Sequence, residues 1–295
     1  MSLAAFLLCA GRGERLRPLT ERIPKPALTL LGKSVLEINK FALESLAPDL
    51  WLANSHHLPE PIDALCRRLG MQTLHEPEIL GTGGCLGHAA PLLGECDTIL
   101  VHNADIIHTI DLADLLRRHK ESGALATLAG VSGPADTLSA ASDGRLLGVH
   151  GYEDFDAGEE SARLTFSGIA CYESAFLRFA GPGPEDVKRY WSSALAAGAA
   201  IRVENCLEGA NWHDIGSPQG LWDAAKFMME AAGEFSHNYH PLLCEPKPYV
   251  ANEAGQEGLP EFMHNVLVCE ETSFSVPPGT RNCVLGRDFK WDIQP

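Results

Sequence analysis

Residues 7–20 read Leu-Leu-Cys-Ala-Gly-Arg-Gly-Glu-Arg-Leu-Arg-Pro-Leu-Thr, which is the most informative segment of the chain. The apolar run Leu3–Cys9, which leads into it, has the composition of a buried strand and ends at Gly11. Glycines directly after a strand let the backbone approach a ligand closely and present its N–H groups to an anion. We therefore predict a first strand followed by an anion-binding segment, the glycine loop Gly11–Lys25.

Positive charge is concentrated in the glycine loop, although the chain as a whole has a formal net charge of -16. Pro24 and Pro26 stiffen the turn that carries the lysine, which we expect on a surface loop. No Gly-Lys-Ser/Thr follows the glycines, and Leu16 stands where the dinucleotide fingerprint needs glycine, so neither of those loops is present. A focused positive patch on an acidic chain favours a small polyphosphate over a nucleic acid. The cations are Arg12, Arg15, Arg17, Arg22 and Lys25.

The rest of the composition excludes several classes of protein. The 295 residues can form one large core, or one core with a small appended module. No apolar stretch approaches the roughly 20 residues of a membrane span, and Met1–Ala10 lacks the basic leader of a signal peptide. The nine cysteines are scattered without a Cys-x-x-Cys pair. We interpret them as reduced structural thiols, which predicts a cytoplasmic protein without a disulfide framework or a zinc site.

Strands and helices alternate through the first half of the chain. This alternation predicts an α/β fold with a doubly wound, Rossmann-like sheet. The apolar periodicity predicts strands over Leu50–Asn54, Thr98–His102 and Ala124–Ala129, and helices over Lys33–Leu46, Ile62–Leu69 and Asp111–Lys120.

After about Val131 the pattern becomes less regular. We predict strands over Arg163–Tyr172 and Ala200–Asn205, helices over Val187–Ala197 and Gln219–Ala231, and a turn at Asp143-Gly144. Short apolar pairs and turn glycines over Val266–Leu285 are similar to one or two irregular coils of a left-handed β-helix. We therefore predict a main domain over residues 1–235 and a C-terminal extension over residues 236–295.

Five sequence blocks, in order along residues 3–232, closely resemble the signature of the sugar-1-phosphate nucleotidyltransferases. The resemblance implies the mixed α/β fold of nucleotide-diphospho-sugar transferases, with residues 1–235 as the catalytic domain. It also implies transfer of a nucleotidyl group from a nucleoside triphosphate (NTP) to a sugar-1-phosphate. The blocks are Ala10–Thr20 with Pro24-Lys25-Pro26, Leu80-Gly81-Thr82-Gly83-Gly84, Val101-His102-Asn103-Ala104-Asp105, Thr165-Phe166-Ser167-Gly168-Ile169 and Asn211-Trp212-His213-Asp214-Ile215-Gly216.

The resemblance also implies roles for individual residues. Asp105 and Asp214 would hold Mg²⁺, which prefers oxygen ligands. With Asp105, two cations form the implied catalytic set: Lys25 would contact the α-phosphate or the sugar phosphate, and Arg15 the departing β- and γ-phosphates. For Arg17 and Arg12 a solvated side chain is the alternative. The implied nucleotide-binding residues are Leu8, Ala10, Gly11, Arg12, Gly13, Glu78, Gly83 and Asn103, and the implied sugar-binding residues are Ser167 and Gly168.

The nucleobase stays open between two patterns. The glycine block Leu80–Gly84 resembles both muramate uridylyltransferases and mannose guanylyltransferases, and Glu14 is shared with the muramate type. A glutamate before that block, Glu76 or Glu78, is either an acceptor for guanine N–H groups or a surface acid. The order of the blocks and the run Thr165–Ile169 favour UTP, with GTP next, whereas the chain after Phe235 resembles the truncated β-helix of mannose or glucose enzymes.

Two other functions and one assembly are kept as alternatives. A phosphocholine cytidylyltransferase of the same fold would need an aromatic cage around a quaternary ammonium group. A non-catalytic regulatory relative often lacks the loop arginine, the lysine or a metal carboxylate, all of which are present here. The apolar pairs of the C-terminal extension need a partner surface, either the main domain or a second subunit in a homodimer.

Overall fold

The computed structural model describes residues 2–30, 33–133, 135, 137–152, 159–206, 210–230, 264–268, 281–286, 289–292 and 294. Its strands, in chain order, are β1 (Leu3–Leu8), β2 (Thr29–Leu30), β3 (Lys33–Ser34), β4 (Leu50–Ser55), β5 (Gln72–His75), β6 (Thr98–Asn103), β7 (Ile106–His108), β8 (Ala126–Val131), β9 (Leu138–Ala140), β10 (Leu146–Val149), β11 (Ala162–Glu173), β12 (Ile201–Asn205), β13 (Trp212–Asp214), β14 (His264–Val268), β15 (Arg281–Gly286) and β16 (Phe289–Asp292).

The helices lie mostly between these strands. Short 3-10 turns at Glu14–Leu16, Leu19–Glu21 and Lys25–Ala27 shape the glycine loop, and another covers Ser174–Phe179. The α-helices are α1 (Val35–Glu44), α2 (Pro59–Leu69), α3 (Gly81–Leu93), α4 (Leu112–Ser122), α5 (Val187–Ala196) and α6 (Pro218–Glu230). Among the described residues, no helix is both long and apolar enough to cross a bilayer.

One large mixed sheet organises the molecule. Within the described part of the chain it has nine strands, with β10-β9-β11-β6-β1-β4-β5 side by side and β8 pairing both β11 and β12. β1 lies parallel to β4 and to β6, whereas the long strand β11 runs antiparallel to β6, β8 and β9. The predicted α/β class with a doubly wound, Rossmann-like mixed sheet is confirmed.

Helix boundaries follow from capping groups that local sequence shows only in part. α1 begins at Val35, two residues after the predicted start, because the Ser34 side chain accepts a hydrogen bond from the Glu37 N–H. α2 ends at Gly70, whose left-handed backbone (φ 69°) closes it as predicted.

The glycine-rich helix α3 was not predicted, because glycine is a poor helix former. A Cβ on Gly84 would lie 2.2 Å from the Gly183 carbonyl oxygen, and one on Gly87 would lie 1.8 Å from that of Gly181. The glycines therefore allow α3 to pack directly on the backbone of residues 181–187.

A C-terminal sheet joins the main domain through a shared apolar cluster. β14 pairs with β15 in parallel, as stacked coils of a β-helix do, and β16 closes the sheet antiparallel to β15. Val284 on β15 is fully buried in an apolar cluster that also includes residues of α1, α6 and the glycine loop, among them Leu16. Two hydrogen bonds join Gln219 on α6 to the backbone of Gln294, at 2.8 and 3.0 Å.

Removal of residues 251–295 should lower the melting temperature, because it uncovers the apolar surface that Val284 covers. Val284→Ala alone should lower the free energy of unfolding by about 1–2 kcal/mol, the range for removing buried methyl groups. Thermal melting and light scattering would measure stability and subunit mass, with the exposed-residue variant Lys290→Ala as control. An unchanged melting temperature and mass after the deletion would contradict this coupling.

Candidate functional site

The site lies where three parallel strands end at the same edge of the sheet. Leu8, the last residue of β1, pairs with Asn103, the last residue of β6, and Leu7 pairs with Ala53 on β4. The Ala104 N–H donates to the Leu8 carbonyl at 3.1 Å, which carries the chain across to Asp105. The carboxyl edge is where open α/β sheets bind ligands.

The glycine loop leaves one backbone face open and closes another. No heavy atom lies within 4 Å of where a Cβ on Gly11 would stand. Gly13 has φ +64°, and a Cβ there would lie 2.8 Å from Thr20 Cγ2 and 3.0 Å from Lys25 Cγ. Only glycine accommodates both that backbone and that contact. The backbone at Gly11 is therefore open to a ligand.

Side chains from inside and outside the loop keep it folded. Leu16 and Leu19 are fully buried beneath it. Thr20 Oγ1 donates to the Gly13 carbonyl at 2.8 Å, and His57 Nε2 lies 2.7 Å from the Thr20 carbonyl, to which its N–H donates. Ala10, predicted to contact nucleotide, is 7% exposed at the start of the loop.

Lys25 is buried in the site and forms an ion pair with Asp105. Its residue exposure is 9%, so the expected surface-loop location is wrong. The cause is the folding of the loop onto Lys25, with Gly13 against the aliphatic stem. The Lys25 Nζ donates to Asp105 Oδ2, and the Asp105 side chain keeps 29% exposure.

Strand pairing brings Asp214 to Asp105 across more than a hundred residues of sequence. β13 runs antiparallel to β7, with Asp214 opposite Ile106, and the Ile215 N–H donates to the Asp105 carbonyl at 3.0 Å. Arg15 Nη2 donates to Asp214 Oδ2 at 3.2 Å. Arg15 and Asp214, the second cation and the second carboxylate of the predicted site, thus form a separate ion pair.

Gly216, which ends the sequence block Asn211–Gly216, must be glycine because its backbone lies close to the Arg15–Asp214 ion pair. A Cβ on Gly216 would lie 2.2 Å from Arg15 Nη2 and 2.7 Å from Asp214 Oδ1. The Gly216 N–H also donates to Asp214 Oδ1 at 2.7 Å, which orients the carboxylate. The Arg15 side chain is 64% exposed. Arg12 and Arg17 are exposed as well, and Arg17 pairs with Glu14 at 3.4 Å.

Gly83 and the two glutamates before the Leu80–Gly84 block differ in their surroundings and in their exposure. The Gly83 N–H donates to the Glu185 carbonyl at 2.9 Å, and a Cβ on Gly83 would lie 2.9 Å from the Val187 nitrogen. Gly83 therefore serves helix packing, and its contact with nucleotide stays a prediction. Glu78 is exposed, whereas Glu76 is 1% exposed.

The predicted sugar-binding residues lie beside Asn103. Gly168 has φ +90°, and a Cβ there would lie 2.7 Å from Asn103 Nδ2. The Trp212 Nε1–H donates to the Ser167 carbonyl at 2.9 Å. Ser167 Oγ accepts a hydrogen bond from the Ile169 N–H at 3.2 Å. Three of the five sequence blocks therefore meet at one wall of the site.

A buried histidine pair supports the turn that carries Asp105, and the sequence analysis missed it. The Ile110 N–H donates to His108 Nδ1 at 3.0 Å, so in the neutral ring His108 Nε2 carries the proton. It donates to His102 Nε2 at 2.9 Å, and His102 Nδ1–H donates to the Asn103 carbonyl at 2.8 Å. Burial lowers the pKa of His102 to about 4 and that of His108 well below its usual value.

The free energy of unfolding should fall as the pH drops from about 6.5 towards 5. In this range the two histidines bind protons in the unfolded state, whereas in the folded state they stay neutral. From the pKa of about 4 for His102, this residue alone contributes a loss of about 3 kcal/mol by pH 4. Urea unfolding at pH 7.5, 6 and 5 would measure it. His102→Asn/His108→Asn should flatten the profile and the exposed-residue control His75→Asn should not. A wild-type stability that is constant from pH 7.5 to 5 would contradict the assignment.

Known proteins are similar to this chain in sequence and in fold. Residues 4–137 match the sequence profile of the family described as nucleotidyl transferase. The UTP–glucose-1-phosphate uridylyltransferase of Synechocystis is 28% identical over 251 residues, covering 77% of this chain and 63% of that enzyme. The N-acetylmuramate alpha-1-phosphate uridylyltransferase of Caulobacter vibrioides is 25% identical over 239 residues, covering 77% of this chain and 97% of that enzyme.

A solved structure shows the same fold over most of its length. HddC from Yersinia pseudotuberculosis superposes with a TM-score of 0.61 at 18% identity, covering 76% of this chain and 99% of that chain. This chain spans between 27% and 63% of the length of four of the curated relatives that it matches. In the matching profile over residues 4–137, the related sequences and the shared fold, this chain is similar to the sugar-1-phosphate nucleotidyltransferases.

Proposed function

We propose that this protein transfers a nucleotidyl group from an NTP to a sugar-1-phosphate, giving a nucleotide sugar and pyrophosphate. One observation carries the proposal: the two ion pairs Lys25–Asp105 and Arg15–Asp214 lie at the edge of the sheet where the glycine loop begins. Cations and carboxylates held together in this way suit a reaction among phosphates, whose charge must be neutralised from several sides.

The reaction needs positioning more than a side-chain nucleophile. An oxygen of the sugar phosphate attacks the α-phosphorus. As this O–P bond forms, the bond to the bridging oxygen of the β-phosphate breaks and pyrophosphate leaves with the electron pair. Lys25 stabilises charge on the α-phosphate or the sugar phosphate, and Arg15 holds the leaving phosphates. The N–H groups of the glycine loop, at Gly11 and Gly13, would add hydrogen bonds to phosphate oxygens.

The two carboxylates fit Mg²⁺ as its protein ligands. Asp105 and Asp214 are partly exposed oxygen donors, at 29% and 38% of the side chain. In the part of the chain that the structure describes, no group of three or more His, Cys, Asp or Glu could hold a metal ion. Waters and substrate oxygens would complete the shell, which is how Mg²⁺ is commonly bound. When bound, the ion would supply positive charge to the phosphates.

UTP is the proposed donor, with GTP second. Glu76 is buried and already accepts two hydrogen bonds, so of the two glutamates Glu78 is the one free to meet a base. The names of the Synechocystis and Caulobacter relatives, both uridylyltransferases, support UTP. We propose that the sugar binds against the wall that Ser167, Gly168 and Asn103 form.

The proposed catalytic domain covers residues 1–235, and residues 236–295 form the extension. All predicted site residues lie before residue 215, which supports that division. We propose a cytoplasmic location, since the described cysteines, among them buried Cys9 and Cys171, are free thiols.

Pyrophosphate release tests the function directly. UTP, GTP, CTP, ATP and dTTP would each be combined with a panel of hexose-1-phosphates, N-acetylmuramate-1-phosphate and phosphocholine, with and without Mg²⁺. A parallel thermal-shift panel should single out one base, since a ligand at 100 times its dissociation constant stabilises by about 2.7 kcal/mol. Turnover with a sugar-1-phosphate and UTP is expected. Tight nucleotide binding without turnover would contradict an enzymatic function and indicate a regulatory nucleotide-binding protein. Turnover with phosphocholine would indicate that phosphocholine, and not a sugar-1-phosphate, is the acceptor.

A further inference from the structure

Behind the glycine loop, the side chain of Asn54 joins two segments of the site. Asn54 lies at the end of β4 and is 3% exposed. Its Oδ1 accepts a hydrogen bond from the Cys9 N–H at 2.6 Å, at the point where β1 enters the glycine loop. Its Nδ2 donates to Glu76 Oε1, also at 2.6 Å.

Glu76 extends this connection to the glycine block. Its second oxygen, Oε2, accepts from the Leu80 N–H at 3.2 Å, one residue before α3 begins. Its backbone is also held, since its N–H donates to the Ser55 carbonyl at 2.7 Å and its carbonyl lies 2.8 Å from His56 Nδ1. Glu76 is therefore fixed at both its main chain and its carboxylate.

Each hydrogen bond in the series Cys9–Asn54–Glu76–Leu80 requires one particular atom to donate and the other to accept. A backbone N–H donates at each end, so Asn54 must accept at one atom and donate at the other, and Glu76 must accept at both oxygens. Asparagine meets the first requirement and a carboxylate meets the second. Aspartate at position 54 has no hydrogen to donate, and glutamine at position 76 would turn its amide towards a second donor. A mismatched polar group in such a buried place is costly.

We propose that Asn54 and Glu76 are positioning residues for the nucleotide, setting the spacing between the glycine loop and the segment Leu80–Gly84. The proposal rests on the proposed function, in which the loop meets the phosphates, and Glu78 and Gly83, at the Leu80–Gly84 segment, meet the rest of the nucleotide. A bound NTP spans both segments, so their relative placement determines whether the α-phosphorus lies in line for attack.

A polarity swap tests this inference. Asn54→Asp and Glu76→Gln each break the donor–acceptor match. The double variant Asn54→Asp/Glu76→Gln restores it. The new amide at position 76 would donate to the new carboxylate at position 54 and accept from the Leu80 N–H, while that carboxylate accepts from the Cys9 N–H. The double variant has the same net charge as the wild type. Gln72→Glu, the same amide-to-acid change on the exposed strand β5, is the matched control.

Kinetics well below the melting temperature should separate positioning from stability alone. Each single variant should lower kcat/KM for the NTP by about tenfold to a hundredfold, the scale of misplacing reacting groups. The double variant should recover to within about threefold of wild type. Single variants that melt earlier but keep wild-type kcat/KM would overturn the proposal. A folded double variant as defective as the singles would also overturn it.

A readout without turnover keeps the proposal testable if wild-type activity is absent. Hydrogen exchange at the Cys9 and Leu80 amides, with thermal shifts by UTP and GTP, reports the hydrogen bonds and nucleotide binding directly. Faster exchange and smaller nucleotide shifts in the singles, both reversed in the double variant, would support positioning even if the proposed reaction failed. Unchanged exchange and shifts in the singles would overturn it. If a single variant does not fold, the exchange, shifts and kinetics of the double variant decide.

Discussion

Lys25→Ala should lower kcat by about 10² to 10³-fold, because it removes a preorganised positive charge from the site of phosphoryl charge development. The fold should persist, since the Asp105 side chain is 29% exposed and can recover water when its partner is lost. Lys25→Met keeps the buried stem against Gly13 and removes only the charge, so it should lower kcat as much with a smaller change in melting temperature. Pyrophosphate release with the best wild-type substrates would measure the loss.

Lys33→Ala is the matched control for the charge, since this lysine pairs with Glu37 and has a side chain 40% exposed. It should keep nearly full turnover. A folded Lys25→Met variant with kcat within threefold of wild type would show that Lys25 does not stabilise charge in the reaction. That result would contradict the proposed mechanism.

Gly220→Ala should destabilise the protein by about 3 kcal/mol, at the upper end for overpacking. In an exposed helix the same change usually stabilises, because alanine is the better helix former. Here the sign reverses, since a Cβ on Gly220 would lie 1.9 Å from the Asp214 carbonyl oxygen. The first turn of α6 would have to move away from Asp214, so turnover should fall as well. Chemical unfolding and kinetics on the folded variant would measure both effects.

Gly183→Ala is the control, because nothing lies within 4 Å of a Cβ at that position. Its stability should stay within about 0.5 kcal/mol of wild type. If Gly220→Ala were as stable and active as Gly183→Ala, the close contact between α6 and Asp214 would not exist in solution.

Local sequence predicted the elements whose signal is periodic and strong. β1, β4 and β6 lie where the apolar runs place them, because a strand buried on both faces needs continuous apolar side chains. The helix α3 escaped, because Gly81–Gly87 have low intrinsic helix propensity and the reason for those glycines is the backbone of residues 181–187. That contact joins segments about a hundred residues apart, and no local pattern reveals it.

The site was partly predictable for a similar reason. The glycine loop and Asp105 stand next to predicted strand ends, and the edge of a parallel sheet is where such ends meet. Asn54 carried the same signal, a polar side chain at the end of a predicted strand, and could have been found by it. Glu76 could not, because its role comes from burial and from a hydrogen-bond partner on another strand. The His102–His108 pair could not, because its role depends on the complete burial of both rings, which the sequence does not show.

Residue types at short spacings along the chain were enough to predict the α/β class, the glycine loop and the resemblance to the sugar-1-phosphate nucleotidyltransferases. How these parts combine depends on the tertiary structure. Folding of the glycine loop buried Lys25 and paired it with Asp105. The pairing of β7 with β13 placed Asp214, the partner of Arg15, beside the Asp105 segment, although sequence separates the two aspartates by more than a hundred positions. Charges interact over a few ångströms of space whatever their distance along the chain, so the electrostatics of this site exist only once the chain has folded.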